Sequence, residues 1–481
     1  MTYGWAILII VIVAVILYSM GIFNPSSSVT FTSSGFSPFT VSSSLCNNLG
    51  YKIAIIAGPI PDNANSLQID KVFLTSATGA NTTTASYALT NPVSLKSGQT
   101  ATILVPNVAC TAAGIHYSLS ASIQYSYSTT AGNVVQNTTG TVAGTSIAGK
   151  PAVLTSYEPL TITNSQSSAT PSPFQQMINF TSSDSGWTSI STGNFGQNVE
   201  FFYYNGTVIP SWLENYTVDN ATWWLKIAAI PAGSSETVYV GFASSTTNLF
   251  NTVNDGEAPQ LTCSNPSDTA SCSTYAKYDD GADVFNFYDN FAGTSLNTNK
   301  WSVSSGLTYS VDNGISLTGS SQCGSGLEST ITFSSPIIVE GYGSMGSDTS
   351  TSAGCYISGI GIWYTSGGQI TNGWATDNVQ KFGINGWTGS SAFWSSEDNP
   401  QPTVGNNYVW GLGYINSSTA VGYINYKQVS STSTAIRTSG SLTTIIDLQD
   451  SNVFNINLTW YNVRAYPPNG VMPNVYFGEV S

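Results

Sequence analysis

The sequence predicts an all-β protein in which one N-terminal hydrophobic α-helix is followed by three β-sandwich domains. Trp5–Phe23 is an apolar stretch without a charged residue, and no second run of that kind occurs later in the chain. From Ser26 onward, short alternating runs are separated by Gly, Asn, Pro and Ser, a pattern that is typical of strands in sandwiches. A length of 481 residues is sufficient for about three domains.

The apolar stretch, residues 1–24 with its flanks, is long enough to cross a bilayer as a helix. At about 1.5 Å per residue, Trp5–Phe23 spans roughly 28 Å. Pro25 ends it, because proline has no amide hydrogen and disfavours helical geometry in the residue before it. A secretory signal peptide would have a basic start and a small-residue cleavage site, and neither is present. We therefore expect a retained anchor that contacts either a membrane or identical subunits.

Charged residues are rare and mostly acidic. They form 7% of the chain, with 25 acidic residues, 11 basic residues, the single histidine His116 and a net charge of −14. This balance argues against nucleic acid as a partner, because a basic surface supplies most of the affinity for it. A fold with few ion pairs loses little when carboxylates are protonated, so we hypothesise an acidic habitat. A melting temperature that collapsed between about pH 5 and pH 2 would contradict that hypothesis.

Cysteines and glycosylation sequons indicate an exterior, oxidising location, at the cell surface or beyond it. Six cysteines allow fifteen pairings, and we predict the three that keep each bridge local in the chain. These are Cys46 with Cys110, Cys263 with Cys272, and Cys323 with Cys355. Eight Asn-x-Ser/Thr sequons are candidates for glycosylation, namely Asn81, Asn137, Asn179, Asn205, Asn215, Asn220, Asn416 and Asn457.

Residues 25–150 are predicted to form the first sandwich. Its strand-like runs are Tyr51–Ala57, Gln68–Leu74, Ala101–Pro106 and Tyr117–Tyr125. Together with MTYGWAILIIVIVAVILYSMGIFNP and SGFSPF, this region resembles archaeal type IV pilin-like proteins with class III signal peptides. Members of that family carry a basic leader and an early glutamate before this run, whereas this sequence begins at Met1. Assembly into a filament and a single anchored copy therefore both remain open.

Residues 151–260 are predicted to form a second sandwich. Strand-like runs occur at Val199–Tyr204, Thr222–Ala228 and Thr237–Phe242, and Asn205-Gly206 is a strong hairpin turn. The run VEFFYYNGTVIPSWLENYTVDNATWWLKIAAIPAGSSETVYVGFAS resembles an extracytoplasmic β-sandwich domain of unassigned function from archaeal and bacterial surface proteins. Glu214 has no partner acid within this motif, so we interpret it as structural.

Residues 261–282 are predicted to be a connector that contains a small cysteine loop. Asp279, Asp280 and the neighbouring Asp283 are weak candidates for calcium ligands, since carboxylate oxygens suit that ion. Their spacing differs from an EF-hand loop, and a solvated acidic turn is the alternative reading.

Residues 283–481 are predicted to form the last sandwich. FNFYDNFAGTSLNTNKW at Phe285–Trp301 and TWYNVRAYPPNGVMPNVYFGEVS at Thr459–Ser481 resemble the opening and closing strands of concanavalin-A-like jelly-roll domains, close to laminin-G-type modules. The resemblance implies two large packed sheets, and in some relatives it implies hydrolysis of polysaccharides.

Catalytic motifs are weak in this region. The hydrolytic relatives alternate two glutamates and an aspartate on one strand, and no two glutamates here lie within six residues of each other. The G-x-G-x-x-G of Gly341–Gly346 precedes a Ser/Thr-rich run that cannot form the helix required by a dinucleotide site. We therefore expect neither an enzyme nor a cofactor, and a glycoside hydrolase is only a remote alternative.

Ligand binding is the remaining hypothesis for the last sandwich. Trp374, Trp387 and Trp394 lie in a Gly/Ser/Asn-rich stretch, where aromatic rings could stack on a sugar of a glycan or of a neighbouring cell surface. The alternative is that these rings are buried in the core, as most large aromatics are. The sequence therefore favours a non-catalytic surface protein, either a pilin-like filament or coat subunit with an adhesive domain or a single-pass anchored adhesin.

Overall fold

The structure is a computed structural model. It describes residues 31–60, 64–82, 86–105, 108–190, 195–265, 268–320, 326–346, 358–375, 381–448 and 455–481. The apolar stretch Trp5–Phe23 lies outside these residues. Among the residues described, no helix has the length and hydrophobicity needed to span a membrane.

The described chain is an all-β protein built of several sheets, which confirms the predicted class. It divides into two compact units. The first contains residues up to Ala152 together with Tyr203–Thr207, and the second contains Val153–Phe202 and Val208–Ser481.

The first unit contains ten strands in two main sheets. Their bounds are β1 (Thr32–Gly35), β2 (Phe39–Asn47), β3 (Gly50–Ala57), β4 (Leu67–Thr78), β5 (Asn81–Thr82), β6 (Ser86–Leu95), β7 (Thr100–Val105), β8 (Val108–Ala109), β9 (His116–Thr129) and β10 (Gly132–Thr145). The sheet orders are β1-β10-β9-β4-β6 and β2-β3-β7, and β5 pairs with β8. Alternating residues such as Ile53, Ile55, Leu119 and Ile123 form one core between the sheets.

The second unit begins with a smaller sandwich, which we call the middle sandwich. Its strands are β11 (Ser156–Asn164), β12 (Phe174–Thr181), β13 (Val199–Tyr203), β14 (Ser211–Tyr216), β15 (Asn220–Ile227), β16 (Ser234–Phe242) and β17 (Asp255–Glu257). They form the sheets β13-β16-β11-β33 and β12-β15-β14-β17, where β33 (Asn474–Phe477) is the last strand of the chain. Short 3-10 helices occur at Ser185–Ser189 and Pro259–Thr262.

The remainder of the second unit is a larger sandwich, the last sandwich, which follows helix α1 (Gly281–Val284). Its strands are β18 (Phe287–Asp289), β19 (Trp301–Val303), β20 (Leu307–Val311), β21 (Ile315–Ser320), β22 (Gly326–Ser329), β23 (Ile337–Met345), β24 (Ser358–Tyr364), β25 (Gln369–Ala375), β26 (Lys381–Trp387), β27 (Ala392–Glu397), β28 (Asn407–Asn416), β29 (Thr419–Ile424), β30 (Lys427–Thr432), β31 (Leu442–Leu448) and β32 (Ile456–Ala465). A 3-10 turn at Pro468–Gly470 precedes β33.

Two large sheets face each other in the last sandwich. The eight-stranded sheet has the order β20-β21-β32-β23-β28-β29-β30, with β18 also paired to β32, and the seven-stranded sheet has the order β19-β22-β31-β24-β25-β26-β27. Side chains from both sheets, among them Ile362, Phe382, Trp410 and Leu458, form a single buried core.

An aromatic cluster joins the two sandwiches of the second unit. Trp212 and Trp224 of the middle sandwich pack against Phe285, Tyr288 and Trp460. The centroids of the Trp212 and Trp460 rings are 5.3 Å apart in an edge-to-face arrangement. The outer face of the eight-stranded sheet is therefore partly covered by the middle sandwich.

Two sequence predictions need correction. The closing segment was assigned wholly to the last sandwich, but β33 pairs with β11 of the middle sandwich, with Leu160 opposite Phe477. The Asn205-Gly206 turn was predicted to join two strands of a hairpin, but β13 and β14 belong to different sheets. The tight turn itself is formed as predicted: Tyr203 N donates to the Thr207 carbonyl oxygen at 2.8 Å, and Phe202 and Val208 form an antiparallel bridge.

Candidate functional site

The three tryptophans singled out from the sequence lie on adjacent strands of the seven-stranded sheet but on different faces. Trp374 on β25 pairs with Phe382 on β26, and their ring centroids are 4.6 Å apart inside the core. Because side chains alternate along a strand, Trp387 on β26 faces the opposite way from Phe382. Trp374 thus takes the core role that the sequence left open.

Trp387 and Trp394 lie on the outer face of the seven-stranded sheet, the face opposite its core side. Trp394 is directly opposite Asn385, and Trp387 is opposite Ala392, so the two indoles are diagonal neighbours on β26 and β27. Trp387 is 39% exposed, and Trp394 is half-buried. A Cβ at Gly383 would lie 2.6 Å from the Trp394 ring, which therefore lies against the backbone of β26.

A row of polar side chains adjoins these indoles on the same face. Gln369 on β25 is opposite Trp387, and Thr371 is opposite Asn385. The Thr371 hydroxyl donates to Asn385 Oδ1 at 2.7 Å, and Gln369 Nε2 donates to Asp447 Oδ2 at 2.6 Å. All four polar side chains are buried, so these hydrogen bonds fix their orientation.

Glycines bring the backbones of neighbouring strands close together beside the polar row. Gly373 pairs with Gly383, and a Cβ at Gly373 would lie 2.4 Å from the Cα of Gly359. Gly359, Gly373 and Gly383 are all buried, and the Trp394 ring covers Gly383.

Charged side chains of both signs lie at the edge of this face. Lys381 Nζ and Glu397 Oε1 form an exposed ion pair at 2.6 Å. Arg437 Nη2 donates at 2.7 Å to the carbonyl oxygen of Gly389, which lies in the turn that follows Trp387. The edge of the face is therefore polar and close to neutral.

Trp363 is a member of this face that sequence reasoning missed. It lies on β24 directly opposite Gln369, so Trp363, Gln369 and Trp387 form one row across three strands. The signal was present in the alternation of β24, where Ile360 and Ile362 are core residues. The intervening positions Gly359, Gly361 and Trp363 share the other face. We define Trp363, Trp387, Trp394 and the polar row as the tryptophan face.

The acids near the tryptophan face are spread over three strands. Glu328 on β22 accepts a hydrogen bond from the Thr443 hydroxyl at 2.8 Å, Asp447 on β31 accepts one from Gln369, and Glu397 on β27 pairs with Lys381. The hydrolytic relatives instead place their acids on one strand. The glycines of the G-x-G-x-x-G run lie in or directly after β23, which is a strand.

The aspartates considered as calcium ligands have different surroundings. Asp279 accepts hydrogen bonds from Trp212 Nε1 at 2.8 Å and Asn290 Nδ2 at 2.6 Å, and also from the Tyr288 hydroxyl and the amide of Gly281. Asp280 is buried, whereas Asp283 is exposed on α1. Within the described ranges, no group of three or more His, Cys, Asp or Glu side chains is arranged to hold a metal ion. The solvated-turn reading is wrong for Asp280, which is 1% exposed.

Buried acids surround the edge of the middle sandwich near α1. Burial, together with the nearby Asp279, Asp255 and Asp283 carboxylates, raises the pKa of Asp280 to about 9. Burial, with the Glu200 charge, raises the pKa of Asp255 to about 8. Burial also raises the pKa of Glu257 to about 7. These carboxyls are therefore neutral in acid, and we call Asp255, Glu257 and Asp280 the buried acid group.

Two of the three predicted disulfides are formed. Cys46 bonds to Cys110 in the first unit, and Cys263 bonds to Cys272 before α1. Cys323 and Cys355 lie outside the described residues. The two bridges are consistent with an oxidising or extracellular location.

The candidate sequons differ in accessibility. Asn137, Asn179, Asn205, Asn215 and Asn416 are exposed, and Asn220 and Asn457 are half-buried. Asn81 lies in β5, and its side chain is outside the described set. Asn457 is in the middle of a sheet, where its amide is hydrogen-bonded on both sides.

Comparison with known proteins gives one relative in sequence. No family model matches the chain. The chain is 30% identical over 365 residues to uncharacterized protein 562 of Sulfolobus islandicus rod-shaped virus 1, a match that covers 67% of this chain. The chain spans 58% of the length of that relative.

Similar solved structures cover 37% of the chain. They include a glycosyl hydrolase family protein from Mycobacterium fortuitum at 10% identity, with a TM-score of 0.28 over 99% of that protein. A β-1,3-glucanase from Mycobacterium marinum is 11% identical, with a TM-score of 0.25 over 98% of its length. Porphyranase B from Zobellia galactanivorans is 8% identical, with a TM-score of 0.24 over 91% of its length.

Proposed function

We propose that this chain is a non-catalytic attachment protein of an exterior surface, and that its last sandwich binds a carbohydrate through the tryptophan face. The observation that carries the proposal is the placement of Trp387 and Trp394 side by side on an outward face. Aromatic rings offer flat apolar surfaces to the C–H faces of sugars, and nearby amides and hydroxyls fix the orientation of the sugar.

The composition of the face supports a neutral or weakly charged ligand. Asn385, Thr371 and Gln369 adjoin the indoles, carry no charge, and are buried and hydrogen-bonded within the protein, so the indoles are the groups that this face offers to a ligand. The exposed ion pair of Lys381 and Glu397 adds no net charge, and Arg437 adds one positive charge at the edge of the face. The three acids of this region are each engaged by a protein donor, which favours binding over hydrolysis.

The two disulfides support an exterior location for this chain. Its attachment to a surface is inferred from the apolar N-terminal stretch of the sequence. The apolar stretch Trp5–Phe23 would tether the chain to a membrane or to identical subunits in a filament or coat. The sequence relative comes from a virus of Sulfolobus islandicus, so the surfaces proposed to carry this chain include that of a virus particle. A single anchored adhesin that does not polymerise is the alternative arrangement, and negative-stain microscopy of the surface distinguishes the two.

A glycan array tests the binding proposal. We expect Trp387→Ala to reduce binding at least tenfold, about 1.4 kcal/mol, with little change in melting temperature because the side chain is partly exposed. Tyr476→Ala is the matched control, since Tyr476 is an exposed aromatic residue on a strand of the middle sandwich. Equal binding by wild type and Trp387→Ala would overturn the proposal.

A further inference from the structure

A second concave surface lies on the outer face of the eight-stranded sheet, on the opposite side of the last sandwich from the tryptophan face. It is a cleft of about 320 Å³, at the lower end of the range of roughly 300–1,000 Å³ for small-ligand sites. Its floor is formed by β20, β21, β32, β23 and β28. We call it the serine–asparagine cleft after the residues of its floor.

The floor is a continuous row of small polar side chains across five strands. The register places Ser310 opposite Ser316, Ser316 opposite Asn457, Asn457 opposite Ser344, and Ser344 opposite Asn407. The Ser316 hydroxyl donates to Asn457 Oδ1 at 2.7 Å, and Asn457 Nδ2 donates to Ser344 Oγ at 3.3 Å. Ser310 and Asn407, at the two ends of the row, are exposed.

The walls of the cleft are held in place by a covalent loop. Thr269 and Ala270 lie inside the loop closed by the Cys263–Cys272 disulfide. Beside this loop, the β20–β21 turn contributes Asp312 and Asn313. Asn313 Nδ2 donates to the carbonyl oxygen of Cys272 at 3.5 Å, which links the turn to the loop. The loop and the turn are therefore in direct contact at one end of the cleft.

The chemistry of the lining selects a neutral, hydroxyl-rich ligand. None of its fourteen residues, all within the described part of the chain, is Lys, Arg or His, and Asp312 is its one acid. An anionic group would find no cation there, and the carboxylate would repel it. Serine hydroxyls and asparagine amides both donate and accept hydrogen bonds, as sugar hydroxyls do.

We propose that the serine–asparagine cleft binds a short segment of an uncharged glycan, as a second carbohydrate site independent of the tryptophan face. The row of hydroxyl and amide groups would replace the hydrogen bonds that the sugar makes with water. The inference does not rest on the tryptophan face, because the two surfaces belong to different sheets.

The test uses the full chain, produced without glycosylation, and an array of neutral gluco-, manno- and galacto-oligosaccharides. The cleft variants are made in the Trp387→Ala background. The sugar binding that remains in this background is then measured without the contribution of the tryptophan face. We expect Ser310→Phe, which places a ring in the cleft from an exposed edge strand, to weaken the remaining binding at least tenfold. Ser344→Ala removes one hydroxyl of the row and should weaken the same sugars.

Ser33→Phe is the matched control, because Ser33 is an exposed serine on an edge strand of the first unit. The proposal is overturned if no neutral sugar binds Trp387→Ala, if Ser310→Phe leaves that binding unchanged, or if only sulfated or uronic-acid sugars bind in the cleft. If wild type and Trp387→Ala bind alike and Ser310→Phe abolishes binding, the cleft proposal holds and the tryptophan-face proposal fails.

Discussion

Arg464 and Glu340 form a bidentate ion pair between neighbouring strands of the eight-stranded sheet, on the side covered by the middle sandwich. Arg464 Nε and Nη2 donate to the two carboxylate oxygens at 2.8 and 2.7 Å. The side chains are only 5% and 1% exposed. In a chain with so few charges, the best-formed ion pair is thus placed inside an interface between two sandwiches.

The ion pair belongs to a network that reaches the middle sandwich. The Arg464 guanidinium lies 4.7 Å from the centre of the Trp224 ring, whose Nε1 donates to Glu214 Oε2 at 2.7 Å. The Tyr426 hydroxyl also donates to Glu214. Burial raises the pKa of Glu214 to about 7, although these two hydrogen bonds oppose the increase. Glu214 is thus buried in a hydrogen-bonded network between the middle sandwich and the last sandwich.

Loss of the buried ion pair should strongly destabilise the second unit. Arg464→Met removes the cation and leaves the Glu340 carboxylate buried without its partner. We expect the free energy of unfolding to fall by about 3–5 kcal/mol, measured by denaturant titration.

Lys381→Ala is the control for this experiment, because the Lys381–Glu397 pair has a similar distance of 2.6 Å but is about half exposed. It should cost less than about 1 kcal/mol. Equal losses for the two variants would show that burial does not determine the strength of these pairs.

The buried acid group predicts that stability falls as pH rises. Asp255, Glu257 and Asp280 have pKa values raised to about 8, 7 and 9, so their neutral forms are the ones that the fold accommodates. Their contribution is complete below about pH 4, where the unfolded chain is also protonated, and it is lost as pH rises through these folded values. We expect a higher melting temperature at pH 3–4 than at pH 8, measured by calorimetry across about pH 2–9.

Asp280→Asn isolates one member of this group. Neither carboxylate oxygen of Asp280 has a hydrogen-bond partner among the described residues, and its Oδ1 would lie 2.1 Å from a Cβ at Gly256. An amide cannot ionise, so the variant should gain stability relative to wild type at pH 8 and change little at pH 3. Asp219→Asn, at an exposed turn, should have the wild-type pH profile. A wild-type profile for Asp280→Asn would contradict the assignment.

The two disulfides should stabilise different units by different amounts. Cys46–Cys110 spans 64 residues and Cys263–Cys272 spans 9. Loop entropy in the unfolded chain predicts contributions of roughly 4 and 2.5 kcal/mol. In calorimetry, Cys46→Ala/Cys110→Ala should shift only the transition of the first unit, and Cys263→Ala/Cys272→Ala only that of the second. A shift of both transitions by either pair would contradict this division.

Glycosylation should distinguish two sequons of the last sandwich. Asn416 is exposed in the β28–β29 turn, whereas Asn457 donates its amide hydrogen to Ser344 within the serine–asparagine cleft. In chain exported from an archaeal host that glycosylates its surface proteins, mass spectrometry should find a glycan at Asn416 and none at Asn457. A glycan on Asn457 would fill the cleft and contradict its assignment as a binding site.

Much of the strand content followed from local pattern alone. The alternating run Tyr51–Ala57 became β3, and the predicted run Thr237–Phe242 lies within β16. Two of the predicted cysteine pairs formed because each joins residues in one compact region. Local alternation is sufficient for these predictions, because a half-buried strand needs one apolar side chain at every second position.

The tryptophan face was only partly predictable. The sequence indicated that Trp374, Trp387 and Trp394 occur in one stretch. Their roles, however, depend on whether the odd-numbered or the even-numbered residues of each strand face the core. That parity also changes at a bulge, and the β26–β27 register shifts between Ile384 and Asn385. Trp363 was missed because its neighbours on this face, Gln369 and Trp387, lie on other strands.

By itself, the sequence determined the all-β class, the exterior, oxidising location indicated by the cysteines, and the positions of many strands. These features follow from composition and from contacts between near neighbours in the chain. The tertiary structure alone decided that β33 completes a sheet with β11 and that Arg464 pairs with Glu340 beneath the middle sandwich. It also decided which side chains form one row across five strands, namely Ser310, Ser316, Asn457, Ser344 and Asn407. Each of these depends on the partner and register of a strand distant in sequence. Partner and register are set by the packing of the whole core, which no local pattern encodes.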